Sequence, residues 1–167
     1  VNDFKKTCPH NTVIKVESVQ NQMLYDKYYA VRESMIKLVG ENNLNEKKVF
    51  HGTKQIDVMQ IIYTQGFMKV FSTTAAYGEG TYFARDASYS AGGYAAYDNS
   101  TSTYQMFQCK IITGESHTGS SSYKLRTWPK KSNGLIYDSL VNNKSKQSIF
   151  VINENDREYP MFIIHFR

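Results

Sequence analysis

Cysteine, proline and tryptophan are all scarce: two, three and one in 167 residues. Cys8 and Cys109 lie far apart and form no C-x-x-C pair, which argues against a zinc site and against a disulfide framework. So little cysteine fits a reducing compartment, so cytoplasm or nucleus is expected. No apolar run approaches the length of a membrane span, and no signal peptide opens the chain. The charge excess is also small, +5 from 20 basic and 15 acidic residues. That favours an anionic ligand but is too weak to argue for nucleic acid by itself. H-E-x-x-H, G-x-S-x-G and Walker patterns are absent, so metalloprotease, serine-hydrolase and P-loop chemistry lack support.

What the chain does have is aromatic surface, 14% of residues, with 13 tyrosines. A tyrosine joins an apolar ring to a hydroxyl, which suits a pocket that stacks a flat ring and stays polar. Residues 1–167 fit one domain with a core of its own. The first residue is Val, so a piece of a longer protein is expected.

β-Branched residues over 11–19 predict a strand. Asn21 then caps a helix whose inward face is Leu24, Tyr28, Val31, Met35 and Leu38, with Gly40 as its stop. Residues 41–48 read as a polar turn, and Val49-Phe50 as the start of a short strand ending in His51-Gly52-Thr53. A second helix is expected over about 55–64, with Ile56, Met59 and Ile62 or Tyr63 inward and Gly66 at its end. Residues 67–77 read as a loop, 81–84 as a strand, and Asp86 as the cap of a short helix to Ala91. Residues 92–102 look small, polar and flexible. Strong alternation predicts a strand over 103–112. A long polar loop, 114–134, carries Lys124, Arg126, Lys130 and Lys131 around Trp128-Pro129, and loops of that length are often functional. Strands at 135–137, 148–152 and 161–166 complete an α+β fold with mainly antiparallel sheet.

Gly78-x-Gly80 lacks the third glycine of a dinucleotide fingerprint: position 83 is Phe and a strand follows. His51 closes an apolar strand, and Gly52 beside it lets a ligand approach the backbone. Taken together, His51-Gly52-Thr53, the run from Tyr77-Gly78-Glu79-Gly80-Thr81-Tyr82-Phe83-Ala84 to Ser88 and Ser90, and the closing Tyr159-Pro160-Met161-Phe162-Ile163-Ile164 are specific. In these motifs the chain resembles the catalytic domain of the poly(ADP-ribose) polymerase superfamily, the diphtheria-toxin-like ADP-ribosyltransferases, over nearly its whole length.

The resemblance implies split antiparallel sheets with flanking helices and NAD, as substrate and without metal, in the cleft between them. It gives His51 the adenosine ribose hydroxyls, with Thr53 assisting, and gives the Gly52 backbone and the Ser90 hydroxyl the nicotinamide carboxamide. Tyr82 lines one face of the nicotinamide ring, flanked in its strand by Phe83 and Ala84. Tyr94, favoured over Tyr97, stacks on the other face. Residues 67–77 form the loop over the donor. Position 79 is Glu where the family commonly has a basic residue, which bears on donor-loop contacts.

The third signature position falls on Ile149, where polymerases of the family carry a glutamate. Isoleucine neither accepts a hydrogen bond nor polarises a hydroxyl. His51, Tyr82 and Ile149 therefore match the mono-transferase form of the catalytic triad, in which one ADP-ribose unit is transferred and chains are not extended. A carboxylate borrowed from the acceptor would replace the glutamate, so Asp or Glu side chains of a protein acceptor, automodification included, are expected. The acceptor is expected near the 114–134 loop. A silent fold serving as a scaffold is the competing reading, disfavoured because His51, Tyr82 and Ser90 are all present. Nucleic acid as acceptor or partner rests on the aromatic and basic residues from Tyr123 to Trp128.

Overall fold

The computed structural model describes residues 1–54, 58–63, 66, 67 and 73–167. A short helix, α1 (Asn2–Lys5), precedes β1 (Val13–Ser18), which lies inside the expected 11–19 span. Because β1 is an edge strand, its Ile14 and Val16 remain exposed. α2 (Gln22–Val39) begins at the expected cap, where Asn21 Oδ1 accepts the Leu24 N–H at 3.1 Å. Gly40, at φ 81°, ends it in a conformation most side chains resist. Leu24, Tyr28 and Met35 are buried as the spacing requires. Leu38 is not: it is 82% exposed, because the cluster beneath the helix, Tyr28 and Met35 with Leu44 and Ile112, ends a turn earlier.

β2 (Glu46–Gly52) starts three residues before the expected Val49. Glu46 tolerates the sheet because the Tyr28 hydroxyl and the Arg32 Nε donate to it at 2.7 and 3.2 Å. α3 (Val58–Tyr63) buries Val58, Ile61 and Ile62. That phase turns Met59 outward, against expectation, to 46% exposure. Ile56 and residue 64 lie outside the described residues. β3 (Thr73–Ala75) pairs with β4 (Gly78–Ala84) as a hairpin, so the end of the expected loop is strand. Residues 68–72 lie outside the described residues.

Asp86 stands at the N-cap position of α4 (Ala87–Ala91) but caps nothing, because Arg85 takes both its oxygens, at 3.0 and 2.7 Å. The Ser88 N–H turns instead to Thr7 Oγ1 at 3.2 Å. Inside the expected flexible stretch lies β5 (Ala96–Asp98), stitched by Asp98 accepting the Ser100 N–H at 2.9 Å and the Thr101 hydroxyl at 2.8 Å. β6 (Thr103–Ile112) spans the predicted strand. The long loop contains β7 (Ser116–Thr118), paired in parallel with β8 (Ser139–Val141). The expected strand at 135–137 is reduced to one bridge, Lys130↔Ile136, since those residues belong to the turn around Gly134. β9 (Ile149–Ile152) and β10 (Glu158–Phe166) complete the sheet.

The strand order is β1-β10-β6-β2-β4-β9-β8-β7, with β3 on β4 and β5 on β6. Every pairing except β7–β8 is antiparallel. β2 follows β6 throughout Glu46–Gly52, yet meets β4 at the single pair Phe50↔Ala84. One sheet therefore behaves as two halves joined at a point. One face buries Val49, Phe83, Phe107, Phe150 and Ile163 under α3. Another cluster joins Phe50, Met106, Ile164 and Phe166 to Phe4 of α1 and Ala87 of α4. Each fully buried phenylalanine contributes roughly 1.5–3 kcal/mol, so the joint is held by packing rather than by its ladder.

Candidate active site

Beyond Phe50↔Ala84, β2 and β4 no longer pair, and His51 spans the opening. Its Nδ1 lies 2.6 Å from the Tyr82 carbonyl oxygen. A carbonyl only accepts, so Nδ1 carries the proton and Nε2 keeps a lone pair. The rings of Phe67 and Phe83 pack against the imidazole at 4.8 and 5.2 Å. Burial pulls the His51 pKa down to about 4, and the bond to Tyr82 opposes this less strongly. At neutral pH His51 is an uncharged hydrogen-bond acceptor.

Gly52 ends β2 against the segment that leaves α4. A Cβ built on it would lie 2.4 Å from the Tyr94 carbonyl oxygen and 2.7 Å from the Tyr94 Cβ. That same carbonyl accepts the Lys54 N–H at 2.8 Å, and the Tyr94 N–H donates to the Ser90 carbonyl at 3.1 Å. Gly52, Ser90 and Tyr94 are thus brought together by backbone contacts. Ser90 is buried. The Tyr94 ring stacks on Tyr89, centroids 5.2 Å apart and planes at 13°. Tyr97 turns elsewhere, edge-on to Tyr104. Thr53 is 3% exposed, and among the described residues its hydroxyl has no hydrogen-bond partner. Thr53 also lines a cavity of about 780 Å³ of mixed character, shared with Lys54, Val58, Tyr97, Gln105 and His165.

Tyr82 is fixed at its far end. Its hydroxyl donates to the Gly78 carbonyl at 2.6 Å and accepts the Tyr77 N–H at 3.0 Å, which leaves the ring as the usable surface. Burial raises its pKa. Phe83 and Ala84 are both buried, Phe83 in the core beside His51 and Ala84 at the joint. Ile149 pairs with Ala84 across β4 and β9 and is 4% exposed. No carboxylate substitutes for it from β10: Glu158 lies on a strand separated from β9 by β6, β2 and β4. Its buried carboxyl is driven well above the usual range by desolvation. Among the described residues, no cluster of His, Cys, Asp or Glu is arranged as metal ligands.

The structure reassigns two residues noted in the sequence. Trp128 is buried, its Nε1 donating to the Glu79 carbonyl at 3.0 Å, so it offers no stacking platform for a nucleic-acid base. The Glu79 carboxylate accepts the Leu125 N–H of the 114–134 loop at 2.9 Å, while its backbone lies opposite Thr74 of the 67–77 segment. Tyr89 escaped the sequence reading altogether. Its hydrogen bond to the Tyr94 hydroxyl, then burial, push its pKa up to about 12. Its position directly before Ser90 was the available signal.

Residues 1–165 match the family described as the poly(ADP-ribose) polymerase catalytic domain. The chain is 36% identical over 167 residues to human protein mono-ADP-ribosyltransferase PARP12, covering 99% of this chain and 23% of that protein. It is 30% identical over 167 residues to human protein mono-ADP-ribosyltransferase PARP14, covering 98% of this chain and 9% of that protein. Against mouse protein mono-ADP-ribosyltransferase PARP11 the identity is 27% over 181 residues, covering 98% of this chain and 55% of that protein.

Proposed function

The chain belongs to the poly(ADP-ribose) polymerase catalytic-domain family, and we propose that it is an NAD-dependent transferase that places one ADP-ribose unit on a protein acceptor. The relatives' names support the mono-transfer reading. The observation that carries it in this chain is a neutral His51 next to the Phe50↔Ala84 joint, with the apolar Ile149 paired to Ala84 on the far side of that joint.

NAD supplies a nicotinamide–ribose bond whose cleavage builds positive charge on the sugar. His51 Nε2 accepts from an adenosine-side ribose hydroxyl, and the buried Thr53 hydroxyl takes a second polar contact. The Gly52 backbone and the Ser90 hydroxyl hold the carboxamide between the rings of Tyr82 and Tyr94. Tyr94 is preferred to Tyr97 because its backbone abuts Gly52. Holding the donor at both ends orients the bond that breaks.

The acceptor class follows from proton balance. A hydroxyl acceptor must lose a proton to form its new C–O bond, and Ile149 cannot take it. An ionised Asp or Glu carboxylate needs no base: its oxygen bonds to the ribose carbon as nicotinamide leaves with the bonding electron pair. The charges of carboxylate and pyridinium cancel. Self-modification through the chain's own carboxylates is included in this reading, and cytoplasm or nucleus is its proposed setting.

Incubating the 167-residue chain with labelled NAD and mixed proteins, read on a denaturing gel and by mass spectrometry, tests it. Discrete bands bearing single units on Asp or Glu, lost in His51→Ala, are expected. A smear of long chains would overturn the role given to Ile149. Modification confined to serine, arginine or nucleic-acid ends would overturn the carboxylate acceptor. No label, together with no NAD binding, would identify a silent scaffold.

A further inference from the structure

We propose that Glu79 is the positioning residue of the acceptor side: it clamps the 123–128 segment beside Tyr82 and so selects acidic acceptor segments, an inference that rests on the transferase reading above. Glu79 sits on β4, three residues before Tyr82. All three of its polar parts face one loop. Its N–H donates to the Tyr123 carbonyl at 2.9 Å, its Oε2 accepts the Leu125 N–H at 2.9 Å, and its carbonyl accepts Trp128 Nε1–H at 3.0 Å. From the end of β9, Asn153 Nδ2 donates to the Leu125 carbonyl at 3.2 Å. Trp128 is buried with Leu140 and Val151, and Tyr77, Tyr82 and Tyr123 pack against that cluster.

The loop is therefore tied to the two strands that carry Tyr82 and Ile149. A polar segment this long would otherwise gain little from ordering. Of the three bonds, the one from Leu125 depends on the side chain, and a carboxylate acceptor makes it the strongest of its kind. It also settles the charge. Glu79 would repel an acidic acceptor if it faced outward, but its carboxylate is directed into the loop backbone. On either side of Leu125, Lys124 and Arg126 are exposed. The clamp fixes the backbone that carries the exposed Arg126 beside the strands of Tyr82 and Ile149, a positive charge that matches an acidic peptide.

The test compares the 167-residue wild type with Glu79→Gln, whose amide oxygen still accepts the Leu125 N–H, and Glu79→Ala, which does not. The first readout needs no activity: amide exchange at Leu125 should quicken about tenfold in E79A, the ratio expected for one hydrogen bond to a charged group, and by only a few-fold in E79Q, which keeps a neutral acceptor. The second uses a Glu-rich peptide, whose KM should rise about tenfold in E79A. The KM for NAD and the slow release of nicotinamide to water should stay within about twofold. Unchanged Leu125 exchange in E79A would remove the clamp. Parallel loss of water hydrolysis and peptide transfer, with the circular dichroism intact, would make Glu79 a general structural residue and overturn the acceptor role. A wild type that releases no nicotinamide would sink the transferase reading, and with it the acceptor role, while Leu125 exchange would still decide whether the clamp exists.

Discussion

Gly52→Ala is the sharpest test of how the site is assembled. The added Cβ would stand 2.4 Å from the Tyr94 carbonyl oxygen, 2.5 Å from its carbon and 2.7 Å from the Tyr94 Cβ. That is roughly 1 Å inside ordinary van der Waals contact. Two of these neighbours are backbone atoms, so no rotamer change relieves the clash. Moving the Tyr94 carbonyl away also strains its 2.8 Å bond from the Lys54 N–H. Overpacking of this kind costs about 1–3 kcal/mol, and losing one backbone hydrogen bond adds about 1 kcal/mol. A total of about 2–4 kcal/mol should lower the melting temperature by roughly 5–15 °C in a domain of this size. Because the displaced segment carries Tyr94 and follows Ser90, nicotinamide and NAD should bind more weakly even at temperatures where the variant is folded. Thermal melting by circular dichroism and ligand titration at 15 °C measure both. A variant melting within about 1 °C of wild type and binding equally well would mean that the Tyr94 backbone does not abut Gly52, and the argument for Tyr94 over Tyr97 would fall with it.

His51 predicts a pH dependence of known sign. Its folded pKa is about 4 against 6.5 for the free side chain, so between those values the unfolded chain binds a proton that the native state refuses. Stability from this group is complete above pH 6.5 and declines as pH falls toward 4, by up to about 3 kcal/mol. Urea midpoints of wild type and His51→Gln should converge or cross in that window, and parallel pH profiles would refute the shift. Ile149→Glu should not restore chain growth, because a carboxyl replacing a side chain that is 4% exposed meets a desolvation cost of several kcal/mol. A gel showing long chains from a stably folded I149E would contradict this. Tyr28→Phe removes a 2.7 Å bond to the Glu46 carboxylate from a fully buried ring. It should cost about 1.5–3 kcal/mol by urea unfolding, and a loss under 0.5 kcal/mol would show that Arg32 and Lys110 satisfy Glu46 without it.

The elements with strong local signals were legible. Asn21, Gly40 and the three- and four-residue steps between them located α2, and alternation located β6. The misses have a common physical cause: the deciding partner was distant in sequence. Residues 46–48 enter the sheet because β6 supplies a long edge and Tyr28 and Arg32 meet Glu46. β5 and β8 form because neighbouring strands and buried clusters receive them, while their own residues look like loop. Leu38 satisfied the helical period and still lies in solvent, since periodicity cannot say where the partner surface ends.

The candidate site divides in the same way. The family resemblance pointed to His51, Gly52, Tyr82 and Ile149 as candidates, and the structure places them on the three strands that meet around the Phe50↔Ala84 joint. Tyr89 and the Glu79 clamp were not legible, because each depends on a contact with no local pattern. The charge state of the site was equally out of reach from sequence. His51 is neutral because its imidazole is desolvated between Phe67 and Phe83. The Tyr82 hydroxyl is already bonded twice. Ile149 has nothing to ionise. Of His51, Tyr82 and Ile149, only His51 keeps a free lone pair, and its lowered pKa makes it a weak base. In the transfer proposed above the ionisation would come from the acceptor, and a carboxylate already ionised at neutral pH meets that requirement without help from the chain.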